Sequence, residues 1–142
     1  MIWLGNFWKQ SEFDCPCCGT GGDKMDPVLI EILDAVRKQV GVALQCTSGY
    51  RCSTHNSSPA VGSTSGSYHL KGQAADITYA RRGLRNRVNI LRLFVLSENI
   101  GRKHGGLGLG LYPSFSHVDT RTASESGIYP ARWSKFAWPR LK

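Results

Sequence analysis

No stretch of eighteen consecutive apolar residues occurs in this 142-residue chain, so no segment has the length of a membrane-spanning helix. The opening, Met1-Ile-Trp-Leu-Gly-Asn-Phe-Trp-Lys9, lacks the basic start and following apolar stretch of a secretory signal. The chain is therefore expected to stay inside the cell that makes it, or to be carried out by other means. Acidic residues are scarce: 10 Asp and Glu stand against 18 Lys and Arg, giving a net charge of +8 and a sequence pI near 9.5. Such a surface attracts anionic partners at long range and says nothing about fold. No serine sits in a Gly-x-Ser-x-Gly elbow, which disfavours a serine nucleophile. The glycine-rich run before Leu111 is not followed by Gly-Lys-Ser/Thr, so it is no phosphate loop. Neither an internal repeat nor a linker is visible, and residues 1–142 read as a single domain with one core.

The basic residues gather at Arg81, Arg82, Arg85, Arg87 and Arg92, and again at Arg132, Lys135, Arg140 and Lys142. No aromatic interleaves the first block, which speaks against a stacking platform for single-stranded nucleic acid. The five cysteines, at 15, 17, 18, 46 and 52, are an odd number and cannot all pair within the chain. Cys15-x-x-Cys18 with Cys46 and Cys52 could form a structural zinc site. The same residues could form one or two disulfides in an oxidising compartment, or stay as reduced buried thiols, and these two readings together outweigh zinc.

Along the chain, Trp3, Phe7, Trp8 and Phe13 form an aromatic leader that needs burial, followed by an irregular loop from Cys15 to Gly22. Asp26 caps a helix with Pro27 at its first position, Leu29, Leu33, Val36 and Val40 recur at helical spacing, and Gly41 ends it. Val42 to Thr47 is a short strand running into Ser48-Gly-Tyr-Arg51. Cys52 to Gly66 is rich in Ser, Thr, Asn, Gly and Pro and reads as a long loop that suits the wall of a cleft. Ala74 to Tyr79 is a strand, and Gly83 to Ile100 a second helix with Leu84, Val88, Leu91 and Val95 on one stripe and arginines facing solvent. Gly105-Gly106 makes a turn, and Leu107 to Leu111 and Ser116 to Arg121 are further strands. The tail, with Tyr129, Trp133, Phe136 and Trp138, packs back onto the sheet.

The chemistry is concentrated in Ser67-Tyr-His-Leu-Lys-Gly-Gln-Ala-Ala-Asp-Ile77 and Phe115-Ser-His-Val-Asp-Thr-Arg121. His69, Asp76 and His117 make a nitrogen, oxygen, nitrogen set, the ligand chemistry of a catalytic zinc that keeps a fourth position for water. His-x6-Asp is too long for one helical face, so a loop must deliver His69, Gly72 a turn, and a strand Asp76. On spacing alone, two unrelated histidines and a turn-capping carboxylate fit equally well.

Ser67-x-His69-x-x-Gly72-x-Ala74-x-Asp76 resembles the first signature of the zinc peptidoglycan peptidases. These comprise D-alanyl-D-alanine carboxypeptidases, D,D-dipeptidases and phage endolysins, and the hedgehog signalling domain shares their fold. Ser48-Gly-Tyr-Arg51 upstream, and Gly108-Leu-Gly-Leu-Tyr112 through His117-Val-Asp119 downstream, resemble the family in the same order. Ser11-Glu-Phe-Asp-Cys15 is similar to the segment with which many members begin. The resemblance covers roughly residues 45 to 121 and implies an α+β fold, a small antiparallel sheet backed by helices, with one catalytic zinc ion in the cleft. It also implies His69, Asp76 and His117 as metal ligands, and hydrolysis of peptide bonds in bacterial wall stem peptides by a monomer. Both carboxypeptidase and endopeptidase activity fit. With this resemblance the anionic wall becomes the preferred partner of the basic surface, and the small size and absent signal lean towards a phage lysis enzyme.

Arg51 is the expected catalytic and substrate-binding cation, opposite a developing oxyanion, unless it is held in an ordinary buried ion pair. Several branches of the family carry an acid three positions before the last zinc histidine, where this chain has Ser114. Asp119, on the same strand face as His117, is then either the general base or a carboxylate that orients a ligand or bonds Arg121. His104 and His55 are weaker candidates for the base. Ser67 and Tyr68, beside the first ligand, are expected to contact substrate or to shape the loop, and Ser53 and Asn56 to line the cleft. A zinc-binding module without catalysis and a basic nucleic-acid-binding protein remain the rivals.

Overall fold

Asp26 starts the first long helix by three separate contacts. The structure, a computed structural model, describes residues 5–56, 67–104, 107–122 and 130–135. Trp3, the loop from residue 57 to Gly66, the side chain of His55, Gly105-Gly106, and Tyr129, Phe136, Trp138, Arg140 and Lys142 lie outside the described residues. The Asp26 carboxylate accepts the Val28 N–H at 3.0 Å and so caps α1 (Pro27–Val40), with proline in the first turn. Its other oxygen accepts the Thr120 hydroxyl at 2.7 Å, and its N–H donates to the Gly72 carbonyl at 2.8 Å. Gly41 closes the helix in the left-handed region. Asp26→Ala is expected to lose about 1 kcal/mol for the cap and about 1 kcal/mol for the Thr120 bond, read as a lower urea midpoint.

From Asn6 to Trp8 the aromatic leader is tied to α1. Trp8 is buried and its indole donates to the Leu33 carbonyl at 3.2 Å, while Phe13 is fully enclosed. The buried Asp34 carboxylate accepts the N–H groups of Asn6 and Phe7 at 2.8 and 3.1 Å. Phe7 was expected inside, yet its side chain is 46% exposed, because the anchored backbone turns Trp8 inward and Phe7 out.

Among the described residues five strands make one sheet in the order β1-β2-β4-β3-β5: β1 (Leu44–Ser48), β2 (Ala74–Tyr79), β3 (Gly108–Leu111), β4 (Ser116–Asp119) and β5 (Ala131–Ser134). The sheet was expected to be antiparallel. Three pairings are, but β5 runs parallel to β3, so the sheet is mixed. The described part of the tail returns to the sheet, with Ala131–Ser134 as an edge strand. A short helix, α2 (Ser53–Asn56), follows β1.

The second long helix, α3 (Arg87–Gly101), starts later than its sequence suggests, because Asn86 caps it by accepting the Asn89 N–H at 2.9 Å. Leu84 lies before it in a 3-10 turn, and Val95 is 41% exposed. The stripe that reaches the core is Ile90, Leu93, Phe94, Ser97 and Gly101, joined by Leu91. Arg87 and Arg92 do face solvent. Leu29, Ile32, Leu33 and Val36 of α1, this stripe, and Ala75, Ile77, Leu109, Leu111 and Val118 of the sheet form the hydrophobic core. The architecture is therefore α+β, two long helices covering one face of a five-stranded sheet. Among the described residues no helix is long and apolar enough to cross a membrane.

Candidate metal centre

One transverse row of the sheet carries the chemistry. Ser48 on β1 pairs with Asp76 on β2, Asp76 with His117 on β4, His117 with Gly110 on β3, and Gly110 with Trp133 on β5. Alternate residues point to opposite faces of a strand. Ala75, Ile77, Leu109, Leu111 and Val118 therefore go into the core, while Asp76, His117 and Asp119 share the other face. The Leu107-Gly-Leu-Gly-Leu111 alternation has the same cause: leucines on the core side, glycines on the site side. A β-carbon at Gly110 would meet the Trp133 ring at 2.6 Å, so glycine lets that indole lie 5.1 Å from the His117 ring. A β-carbon at Gly108 would likewise meet Asp119 at 2.4 Å.

His69 arrives from the 3-10 turn Tyr68–Lys71. The Ser67 hydroxyl caps that turn by accepting the His69 N–H at 3.3 Å, and Gly72 leaves it with a φ of 69°. The side chain is 3% exposed, and its Nδ1 meets the Gly49 carbonyl at 2.7 Å. A carbonyl can only accept, so Nδ1 carries a proton, and Nε2 faces Asp76 from 3.4 Å. His117 is held from both sides: Nδ1 lies 2.9 Å from Asp76 Oδ1, and Nε2 lies 2.8 Å from Asp119 Oδ2. The two imidazole rings meet edge-on at 5.2 Å.

The donor atoms of His69, Asp76 and His117 all lie within 4.8 Å of one another, on three buried side chains. A tetrahedral ion with bonds of about 2.05 Å to nitrogen and oxygen would space its ligands about 3.3 Å apart, which these atoms can meet. Each histidine also binds through its other nitrogen to a carbonyl or a carboxylate, the support that metal-ligating imidazoles need. The residues present thus fit a zinc ion.

Charge explains the titration behaviour of the cluster. Burial pulls the His117 pKa down, but hydrogen bonds to Asp119 and Asp76 outweigh it and carry the imidazole up to about 9. Burial likewise works against ionisation of Asp76, and the bonds from His117 and His69 outweigh it, holding the carboxyl well below its usual range. Asp119 is depressed in the same way, by His117 and Arg121 against its burial. The site concentrates anionic oxygen that a cation would neutralise.

Arg51 stands at the edge of the cluster with its guanidinium fixed on three sides. Nε donates to the Ser48 hydroxyl at 2.9 Å, one terminal nitrogen to Asn56 Oδ1 at 3.4 Å, and the other to Asp76 Oδ2 at 3.4 Å. Asn56 is buried there, whereas Ser53 is exposed on α2. Asp119 is fully buried: its oxygens accept from His117, from the Arg121 backbone at 3.1 Å, and from the Arg121 guanidinium at 2.9 and 2.7 Å. Tyr68 lies half-buried with the Arg121 guanidinium 4.5 Å over its ring, and Trp133 flanks the same guanidinium at 4.9 Å. Ser114 and His104 are exposed and contribute no donor to the cluster.

Two contributors escaped the sequence reading. One is Trp133, whose signal was the alternation of glycine on the strand it covers. The other is the Gly49 carbonyl, a backbone group that no residue-type pattern reveals. Cys46 was grouped with Cys15, Cys18 and Cys52, but it points from β1 against the core, where burial pushes its thiol far above the ordinary range.

No curated protein matches this sequence. A family profile, Peptidase M15, matches residues 8–119, a span that runs from Trp8 through the Ser-Gly-Tyr-Arg segment and holds all three clustered donors. By that match the chain belongs to the Peptidase M15 family, the zinc peptidoglycan peptidases that its motifs resemble.

Proposed function

We propose that the protein is a zinc-dependent peptidase that hydrolyses peptide bonds in peptidoglycan stem peptides. The observation that carries this reading is the buried His69, Asp76 and His117 cluster with Arg51 beside it, in a chain of this family. His69 Nε2, an Asp76 oxygen and His117 Nδ1 would hold the ion. When bound, zinc makes hydroxide available from water near neutral pH and polarises the peptide carbonyl.

The chain's own residues supply orientation and charge. The Gly49 carbonyl fixes the His69 tautomer, and Asp119 fixes that of His117 by accepting the proton on Nε2. Asp119 thereby acts as a positioning residue, its two oxygens already engaged by His117 and Arg121. Arg51 keeps its positive charge although burial lowers its pKa, and it can face either a developing oxyanion or the carboxylate of a peptide end. Tyr68 and Trp133, half-buried around Arg121, offer ring surface to a peptide crossing the sheet.

Asp119→Asn presents an amide N–H or a neutral oxygen to His117, and zinc affinity should fall about 10- to 100-fold, measured by competition with a chromogenic chelator. Arg51→Ala should lower kcat by about 10² to 10³. Its zinc content should stay at the wild-type level, because the guanidinium touches only the outer oxygen of Asp76.

The activity is tested by mass analysis of stem-peptide digests with and without chelator. Chelator-sensitive loss of a terminal D-alanine identifies a carboxypeptidase, and internal cleavage identifies an endopeptidase. Intact peptide in both arms, with zinc demonstrably bound, would instead favour a zinc module without catalysis, a reading that Ser114 in place of an acid also supports.

A further inference from the structure

A second group of metal-ligating atoms stands where the N-terminal segment crosses the chain leaving β1. Cys15, Cys18 and Cys52 bring their sulfurs within 4.8 Å of one another. The Sγ atoms of Cys15 and Cys52 are 3.6 Å apart. Thiolates on a tetrahedral ion, with bonds of about 2.3 Å, lie about 3.8 Å from each other. A disulfide would bring two sulfurs to about 2.05 Å and leave the third outside the bond.

The backbone around these sulfurs is shaped for ligation. In Cys15-Pro-Cys-Cys18-Gly19 the Gly19 N–H donates to the Cys15 carbonyl at 2.7 Å, and the Cys15 N–H donates to the Thr20 carbonyl at 2.8 Å. Gly19 has a φ of 69°, which closes this tight turn with Cys15 and Cys18 presented together. The Cys52 N–H points at Cys15 Sγ from 3.4 Å, a donor suited to an anionic sulfur. The sulfur of Cys17 is not among the clustered atoms and Cys46 is on the core side of β1, so neither belongs to the group.

We propose that Cys15, Cys18 and Cys52 form a structural zinc site distinct from the histidine–aspartate centre. Three sulfurs leave its fourth position to water. The ion ties residues 15–18 to a segment on which the other centre depends. Just before Cys52, Arg51 reaches Asp76, Tyr50 donates its N–H to the Phe13 carbonyl at 2.9 Å, and the Gly49 carbonyl holds His69. The site therefore organises the wall that carries Arg51 and takes no part in chemistry.

The test uses the full chain purified under reducing conditions, its zinc counted by elemental analysis and its cobalt(II) form examined by absorption. Wild type should hold about two zinc ions per chain, and Cys18→Ser and His69→Ala about one each. Cys18 is exposed, so its replacement leaves no cavity. The cobalt protein should show thiolate-to-metal charge-transfer bands that survive His69→Ala and vanish in Cys18→Ser, since the other centre contains no sulfur. If Cys18→Ser does not fold, loss of the bands on alkylating wild type carries the same information. Absence of charge-transfer bands from wild type overturns the proposal, as does a Cys15–Cys52 disulfide in the freshly isolated protein. Loss of the histidine–aspartate centre alone would leave the bands in place.

Discussion

His69→Ala is expected to yield a folded protein that has lost zinc from the buried centre and cleaves stem peptides at least about a thousandfold more slowly. The zinc ion is worth several kcal/mol of transition-state stabilisation, and each 1.36 kcal/mol is about tenfold in rate. The structural loss is smaller: the hydrogen bond from Nδ1 to the Gly49 carbonyl, worth about 1 kcal/mol, plus the space vacated by one buried ring. Thermal unfolding and turnover should therefore part company in this variant. Wild-type turnover in His69→Ala, with zinc still bound by the remaining two ligands, would show that His69 is not needed at the metal.

Gly72→Ala should be the most damaging of the single-methyl changes on stability. Gly72 sits at a φ of 69°, and its added β-carbon would meet the Lys24 carbonyl oxygen at 2.0 Å. The left-handed backbone costs a non-glycine residue about 1–2 kcal/mol, and overpacking against an immobile group costs about 1–3 kcal/mol more. The colliding atom belongs to the backbone that leads into Asp26, whose N–H is bonded to the Gly72 carbonyl, so relief means breaking the seam between the His69 turn and α1. Gly41→Ala is the control: its φ is 75°, but nothing lies within 4 Å of its β-carbon. It should lose only the conformational share, about 1–2 kcal/mol. Urea denaturation of the pair separates the two effects, and equal losses would mean that the close approach at Gly72 carries no weight.

The helices show where pattern reading succeeds and where it stops. α1 has a capping aspartate, an N-terminal proline, a closing glycine and one apolar stripe, and each signal agrees with the others. α3 is apolar on most sides, at Val88, Ile90, Leu91, Leu93, Phe94, Val95, Leu96 and Ile100. Two stripes fit such a helix, and only its docking against the sheet and α1 selects the one containing Phe94 and Ser97. The parallel edge strand at Ala131–Ser134 had no local signature either, since an edge position depends on which neighbour remains unpaired.

What the sequence alone determined is the type and order of the candidate donors, which spacing left open and the resemblance to the family singled out. His-x6-Asp and His-x-Asp are local spacings, and alternation along one strand puts His117 and Asp119 on the same face without reference to anything distant. What only the tertiary structure decided is how distant segments align. The row from Ser48 through Asp76, His117 and Gly110 to Trp133, the choice of Cys52 over Cys46 beside Cys15, and the anchoring of Asp119 by Arg121 all depend on strand register and loop crossing. Register is fixed by burying one face of every strand at once, a cooperative condition on the whole sheet that no single segment encodes.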